Sequence, residues 1–330
     1  MFEKFKQYIK EDKYYILFLI FILFISYYKL PYYINMPGGT IKINDRIKCD
    51  SCNDINGSLN MLYVTEYVAT IPTYLLSFVV PNWDLESISV QQVNNESVKE
   101  INARNKLLLE NSIDSALYVA YNEAHKKIDI KEKKTFVVTT LNDNNLEIGD
   151  EILAVDNKVI KDYLEVRDIV MSHDVGDKIT FKVRRNNKEI EVTSSVSGNE
   201  ENKAIGVIIL TDYVYDMDPV LDIRFRKGES GGSAGLMMAL SMYTKISDDD
   251  IVKGRKIAGT GTINFEGKIG MIEGIKYKII GAVRNKMDII LVPSDNYKEA
   301  MKIKKKYNYD IDIVEVKTFE DAINYLRGNN

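Results

Sequence analysis

The sequence predicts a mixed α/β (α+β) protein in three parts: an N-terminal transmembrane helix, a β-rich module in the middle, and a C-terminal α/β domain. Three observations predict it. Residues 14–34 are strongly apolar, with Lys29 as their single charge. Residues 133–196 read as short strands around one helix, with Asn186-Asn187 closing a hairpin. From 204 to 330, strand-like and helix-like runs alternate, which is the pattern of a layered α/β domain. The expected organisation is a polar tail (1–13), a span (14–34), a juxtamembrane segment (35–130), the β-rich module (131–198) and the α/β domain (199–330).

The span rests on Tyr14 to Tyr28, which is uncharged but short of the roughly 20 residues a bilayer requires. Letting Lys29 snorkel extends it through Ile34, and tyrosines at both ends suit the interfaces. No small-residue cleavage site follows, so the segment reads as an uncleaved anchor contacting the lipid bilayer. Lys4, Lys6, Lys10 and Lys13 precede it, which places the N-terminus in the cytoplasm and the rest outside. Pro37-Gly-Gly39 and the polar residues around it read as linker and turn.

Farther along, 58–68 has strand character. Residues 70–80 form an apolar run too short to span, read as a buried or interfacial helix, with Trp83 just beyond. Residues 96–126 repeat apolar side chains at helical spacing. In the β-rich module, a strand at 135–141 leads to Leu146-Glu-Ile-Gly-Asp-Glu-Ile-Leu-Ala-Val-Asp-Asn157 and a helix at 163–171. The strands of the C-terminal part are expected at 204–210, 220–225, 256–263, 289–293 and 311–316. Its helices are expected at 233–243, 274–286, 296–306 and 318–327.

Composition narrows the chemistry. A net charge of −4 over 330 residues argues against a nucleic-acid partner. His125 and His173, the two histidines, lie outside any motif, so a serine–histidine triad is not expected. Cys49 and Cys52 form a lone C-x-x-C without a second pair to complete a zinc site, and read as a local disulfide or an idle thiol pair. The Asp248-Asp-Asp250 run reads as a solvated loop or helix cap, and no metal or other cofactor is expected. No G-x-x-x-x-G-K-[ST] motif occurs, so no nucleotide partner is expected either.

The reactive candidates lie in two stretches. Gly231-Gly-Ser-Ala-Gly235 puts Ser233 at a helix start, where backbone N–H groups around Gly232 to Ala234 can hold a developing negative charge. In the second, Lys276 shares an i, i+3, i+4, i+7 stripe with Ile279, Ile280 and Val283, which predicts that it points inward while Lys278 is solvated. Desolvation lowers a lysine pKa, and a neutral amine can serve a serine hydroxyl as general base.

The motifs Gly-Gly-Ser-Ala-Gly (231–235), Ala-Gly-Thr-Gly-Thr-Ile (258–263) and Gly-Lys-Ile-Gly-Met-Ile-Glu-Gly-Ile-Lys (267–276) occur in the order found in Lon-type serine–lysine proteases. The chain resembles the membrane-anchored, PDZ-containing Lon-like proteases. That resemblance implies Ser233 as nucleophile, Lys276 as general base and Thr260 as the residue positioning the lysine. It also notes two departures: Gly232 where the family usually has proline, and Glu273-Gly274 where it usually has two glycines. The 146–157 run resembles the core signature of PDZ domains, which implies peptide addition beside Phe136, Val137 and Val138 under the 163–171 helix. The function implied is an ATP-independent serine endopeptidase cutting flexible peptides or proteins outside the cytoplasm. The competing reading is a catalytically silent membrane scaffold that gathers peptides.

Overall fold

The computed structural model describes residues 13–141, 145–199, 201–226 and 228–328. Most of the expected cytoplasmic tail, residues 1–12, falls outside the described residues, as does Lys227. The chain divides into two compact units: residues 1–38 with 64–91, and residues 39–63 with 92–330.

In the first unit, helix α1 (Lys13–Tyr27) is followed directly by strand β1 (Lys29–Lys42). The expectation of one helix over 14–34 is therefore corrected. Pro31 lacks a donor N–H, and its ring disfavours helix at the preceding residue, so the chain leaves the helix before it. The linker expected at Pro37-Gly-Gly39 lies within β1 instead. Fifteen residues at about 1.5 Å each give α1 a length of about 22 Å. Among the described residues no helix is long and apolar enough to cross a membrane. The apolar side chains of α1 are nonetheless exposed, and none of its residues is buried. Strand β2 (Ser58–Thr70) runs into the short helix α2 (Ile71–Ser77), which starts at a capping box of Thr70 and Thr73. Leu75, Leu76, Phe78 and Val79 are exposed on and just after it. Strand β3 (Asp84–Ser87) pairs antiparallel with β1 from Tyr32 to Asn35.

In the second unit the larger sheets meet helix α3 (Val98–Glu123), which opens with a Ser97–Glu100 capping box. The chain then builds the β-rich module: β4 (Lys127–Thr140), β5 (Glu151–Val155), α4 (Tyr163–Ser172), β6 (Lys178–Arg185), β7 (Lys188–Ser195) and β8 (Val207–Asp218). After it come α5 (Gly235–Ile246), β9 (Lys256–Gly259), α6 (Ile275–Arg284), β10 (Ile289–Pro293), α7 (Ser294–Tyr307), β11 (Asp312–Val316) and α8 (Phe319–Arg327).

Strands β2, β9, β10 and β11 lie side by side and parallel. The sheet is covered on both faces, and the alternation along its strands says why. Leu59, Met61, Ile257, Ile289 and Leu291 face α3, α5 and α8, whereas Leu62, Ala258, Ile290 and Val292 face α6 and α7. Because β2 pairs with β9, the β-rich module sits between two stretches of chain that share one sheet.

In the module the strand order is β8-β4-β5-β6-β7. Strand β8 pairs with β4 over its whole length, so residues 207–218 belong to this sheet and not to the C-terminal α/β domain where 204–210 was expected. The hydrophobic pattern of 204–210 suits a strand in either sheet, so the sequence could not choose between them. Val137, Val207 and Ile209 face the module's core with Val166 and Val170 of α4. On the opposite face, Phe136, Val138 and Leu210 meet Leu107 and Asn111 of α3 around a cavity of about 10 Å³.

Candidate active site

Ser233 lies in a single 3₁₀ turn, Gly232–Ala234, that runs straight into α5. Helix α5 is buried from Gly235 to Thr244, an apolar rod that fixes where the turn begins. Gly235 is obligatory on contact grounds, since a Cβ there would meet Ser112 Oγ and Ile263 Cγ2 at 2.7 Å. The Ser233 carbonyl accepts from Thr260 Oγ1 at 3.0 Å and from the Gly261 N–H at 2.9 Å. The turn is thereby tied to the end of β9. Helix α3 holds its other side, where Ser112 Oγ donates to the Gly232 carbonyl at 3.0 Å and the Gly231 N–H donates to the Asn105 carbonyl at 2.8 Å.

The lysine that reaches this site is Lys278, which corrects the expectation for Lys276. Helix α6 starts after Gly274, whose φ of 70° suits glycine, and it buries Ile275, Lys278, Ile279 and Ala282 as one i, i+3, i+4, i+7 stripe. Ile279 sits at the edge of both candidate stripes and could not decide the phase. Ile275 at the helix start and Ala282 decide it, and they were the signal available in the sequence. Lys278 is 3% exposed, and its Nζ donates to Thr260 Oγ1 at 3.0 Å. Lys276 is only half-buried, with its Nζ 5.3 Å from the centre of the Tyr277 ring.

Burial pushes the Lys278 amine down to about 7, against the pull of the Glu273 carboxylate, which favours the ammonium form. Thr260 is fully buried, and its hydroxyl has one proton and two lone pairs. It donates to the Ser233 carbonyl and accepts from Lys278, so a continuous chain of hydrogen bonds joins the serine's backbone to the amine.

The peptide groove expected at Phe136, Val137 and Val138 is also corrected. Strand β4 is interior: β8 lies on one side, and on the other the Val137 N–H donates to the Asp150 carbonyl while its own carbonyl accepts from the Gly149 N–H. Val137 and Val138 are buried, and no backbone groups remain for an added strand there. The outer edge of this sheet belongs to β8, beside α4, whose first N–H (Tyr163) donates to Thr211 Oγ1 at 3.1 Å. The sequence pattern concealed this because edge and interior strands alternate alike.

Cys49 and Cys52 are joined by a disulfide with Cα atoms 5.5 Å apart. His125 is exposed, and His173 Nε2 sits 3.1 Å from Asp156 in the β-rich module. In the acidic run, Asp250 caps the backbone N–H groups of Val252 and Lys253, and Asp249 pairs with Arg327. Among the described residues no cluster of potential metal ligands occurs.

Residues 226–327 match the Lon protease (S16) C-terminal proteolytic domain, and residues 130–196 match a PDZ domain. Lon protease 2 of Borreliella burgdorferi is 29% identical over 111 residues, which cover 33% of this chain and 14% of that protein. The Lon protease of Trichlorobacter lovleyi is 33% identical over 95 residues, covering 29% of this chain and 11% of the relative. The PDZ domain of an SdrC-like protein from Listeria monocytogenes is 20% identical, covers 24% of this chain and 92% of that chain, and superposes with a TM-score of 0.23. The chain thus matches about a seventh or less of the length of these Lon proteases.

Proposed function

From a chain that carries a Lon-type proteolytic domain and a PDZ domain, we propose a membrane-anchored serine endopeptidase that works with a Ser233–Lys278 pair and cuts flexible polypeptides outside the cytoplasm without ATP. The observation that carries this is the hydrogen-bonded line from the Ser233 carbonyl through Thr260 to a buried lysine held near neutrality. The uncharged Lys278 amine takes the Ser233 hydroxyl proton as Oγ attacks the peptide carbonyl, and returns it to the leaving amine. A water molecule then gives a proton to the same amine as its oxygen attacks the acyl-serine, and the amine passes that proton to the departing Ser233 oxygen. The PDZ domain offers the edge of β8 next to α4, before Tyr213 whose N–H is taken by Asp114, for a peptide to pair with.

To test the reading, the full chain in detergent is given a mixture of unstructured peptides without nucleotide or metal. Wild type and Lys276→Ala are expected to cut. Ser233→Ala and Lys278→Ala are each expected to lose at least about 10³-fold in kcat/KM. Cutting by Ser233→Ala, or loss in Lys276→Ala with retention in Lys278→Ala, would overturn the assignment.

The membrane part rests on separate support. An exposed helix that is apolar on every side has no stable place in water, and α1 is such a helix. Leu75, Leu76, Phe78 and Val79 add exposed apolar surface in the same unit. The Cys49–Cys52 disulfide suits an oxidising compartment, in keeping with an extracytoplasmic catalytic part. Trp83, the single tryptophan, follows α2 and reports on it. In vesicles, phospholipids brominated near the headgroup are expected to quench its fluorescence, and fluorescence indifferent to brominated lipid would remove the membrane contact of α2.

A further inference from the structure

We infer that Ser112, in the middle of α3, is a positioning residue for the peptidase: its hydroxyl fixes the Gly232–Ser233 peptide plane so that the Ser233 N–H faces the oxygen of the scissile carbonyl. The inference rests on the protease reading above and adds to it a residue outside the matched proteolytic domain, which begins at residue 226.

The geometry of the peptide unit carries the argument. A trans peptide holds its C=O and N–H on opposite sides, so whatever grips the carbonyl also aims the following N–H. The Gly232 carbonyl accepts from two donors, the Ser112 hydroxyl at 3.0 Å and the Gly235 N–H. With that carbonyl held from behind, the Ser233 N–H is turned the other way, and no carbonyl among the described residues accepts it. The next peptide is gripped in the same manner, with the Ser233 carbonyl held by Thr260 Oγ1 and the Gly261 N–H. An N–H fixed in place beforehand stabilises the tetrahedral oxyanion without reorganising during the reaction.

The segment needs such a grip. Gly231 and Gly232 give it two residues with wide backbone freedom, and Gly231 sits at φ 85°. Ser112 is 4% exposed, and its bond to Gly232 spans 120 residues of sequence, so it links the long helix to the reactive turn. Among the described residues its hydroxyl donates to the Gly232 carbonyl and not to the reacting atoms. It acts through the peptide plane.

The experiment measures kcat, KM and the affinity for a peptidyl boronic acid, which forms a tetrahedral adduct on the serine, in wild type and Ser112→Ala. Each is made with Gly232 and with Gly232→Pro. Proline suits this position because Gly232 opens the 3₁₀ turn, and a Cβ there would meet only ordinary contacts at 3.5 Å or more. Ser112→Ala is expected to lower kcat about 10- to 100-fold with KM nearly unchanged, and to weaken the boronate by a like factor. In the Gly232→Pro background, where the ring fixes φ at 232 and so narrows the backbone freedom of the turn, the loss is expected to shrink to a few-fold. Should Ser112→Ala fail to fold, Ser112→Cys, which fills the space with a weak donor, must give the same kcat loss.

Wild-type kcat and boronate affinity in Ser112→Ala, with Ser233→Ala inactive, would leave the protease reading standing and overturn this inference. A loss of kcat that follows melting temperature and is unrelieved by Gly232→Pro would reduce Ser112 to a packing residue and also overturn it. No cutting by folded wild type would remove the protease reading and this inference together.

Discussion

Two buried ionisable groups flank this fold's working parts, and they reach neutrality by different routes. Lys278 lies on α6 with apolar neighbours and one hydroxyl partner, Thr260. Burial alone drives its amine toward the free base, and the one charge that acts on it, Glu273, opposes the shift. Asp114 lies on α3 against β8 of the PDZ domain, where its carboxylate accepts the Tyr213 N–H at 2.9 Å. Burial again leads, but here a second carboxylate, Asp212, adds to it through a shared hydrogen bond and charge repulsion, with a smaller push from Glu110. The Asp114 carboxyl is held well above the usual range and stays protonated at neutral pH. An amine with one polar partner can still take up a proton during a reaction. A carboxyl locked to a second carboxyl and a backbone N–H keeps its proton to hold two elements together. The first arrangement suits chemistry, and the second suits a joint.

Activity should give the sharpest test of this contrast. If Lys278 must be uncharged to accept the Ser233 proton, kcat/KM rises with pH and levels off above an apparent pKa near 7, falling about tenfold per unit below it. The stability linkage has the same sign. The unfolded lysine titrates near 10.5, so between about pH 7 and that value the unfolded state binds the extra proton and folding strengthens as pH rises. A pH–rate profile in wild type and Lys276→Ala checks this, and both should show the same limb. A profile flat from pH 6 to 9, with chemistry rate-limiting, would mean that Lys278 is not the base.

Much of this architecture was legible from the sequence because burial leaves a periodic trace. The α3 and α5 helices and the strands β9 to β11 emerge from apolar spacing and turn residues, since each has one face to hide or none exposed. Ser233 was legible because glycines crowd it and allow close backbone approach, and Thr260 only through the resemblance of the 258–263 motif to Lon-type proteases. Three features were not. The phase of α6 was ambiguous because Ile279 belongs to both stripes, and Ile275 and Ala282 at the ends separate Lys278 from Lys276. The edge of the PDZ sheet was hidden because strand order depends on pairing between 127–140 and 207–218, which no local pattern encodes. Ser112 looked like an ordinary small residue in a helix. Its partner lies 120 residues away, and spacing within α3 cannot point to it.

A smaller effect tests the other half of the comparison. Ser112 and Asp114 are two residues apart on α3, so they project roughly 200° apart, one toward the Ser233 turn and the other toward the PDZ strand. The groups that bear on Asp114 are Glu110 on its own helix and Asp212, Tyr213 and Tyr215 on β8. A carboxyl whose folded pKa lies above its unfolded value of about 3.8 contributes stability that is complete below that value. The contribution is lost as pH climbs through the raised folded value, because the unfolded chain releases its proton more readily. Asparagine imitates the protonated acid, with an oxygen for the Tyr213 N–H and an N–H₂ for Asp212, and it has no proton to lose. Asp114→Asn should therefore match wild type in melting temperature near pH 4. It should exceed wild type increasingly toward pH 8, by about 1.4 kcal/mol for each pH unit over which the folded acid keeps its proton while the unfolded one has ionised, and so by several °C or more. Thermal melts of both proteins across that range decide the matter. A constant difference at every pH would mean that Asp114 titrates as an ordinary carboxylate, and the PDZ joint would then rest on its apolar contacts alone.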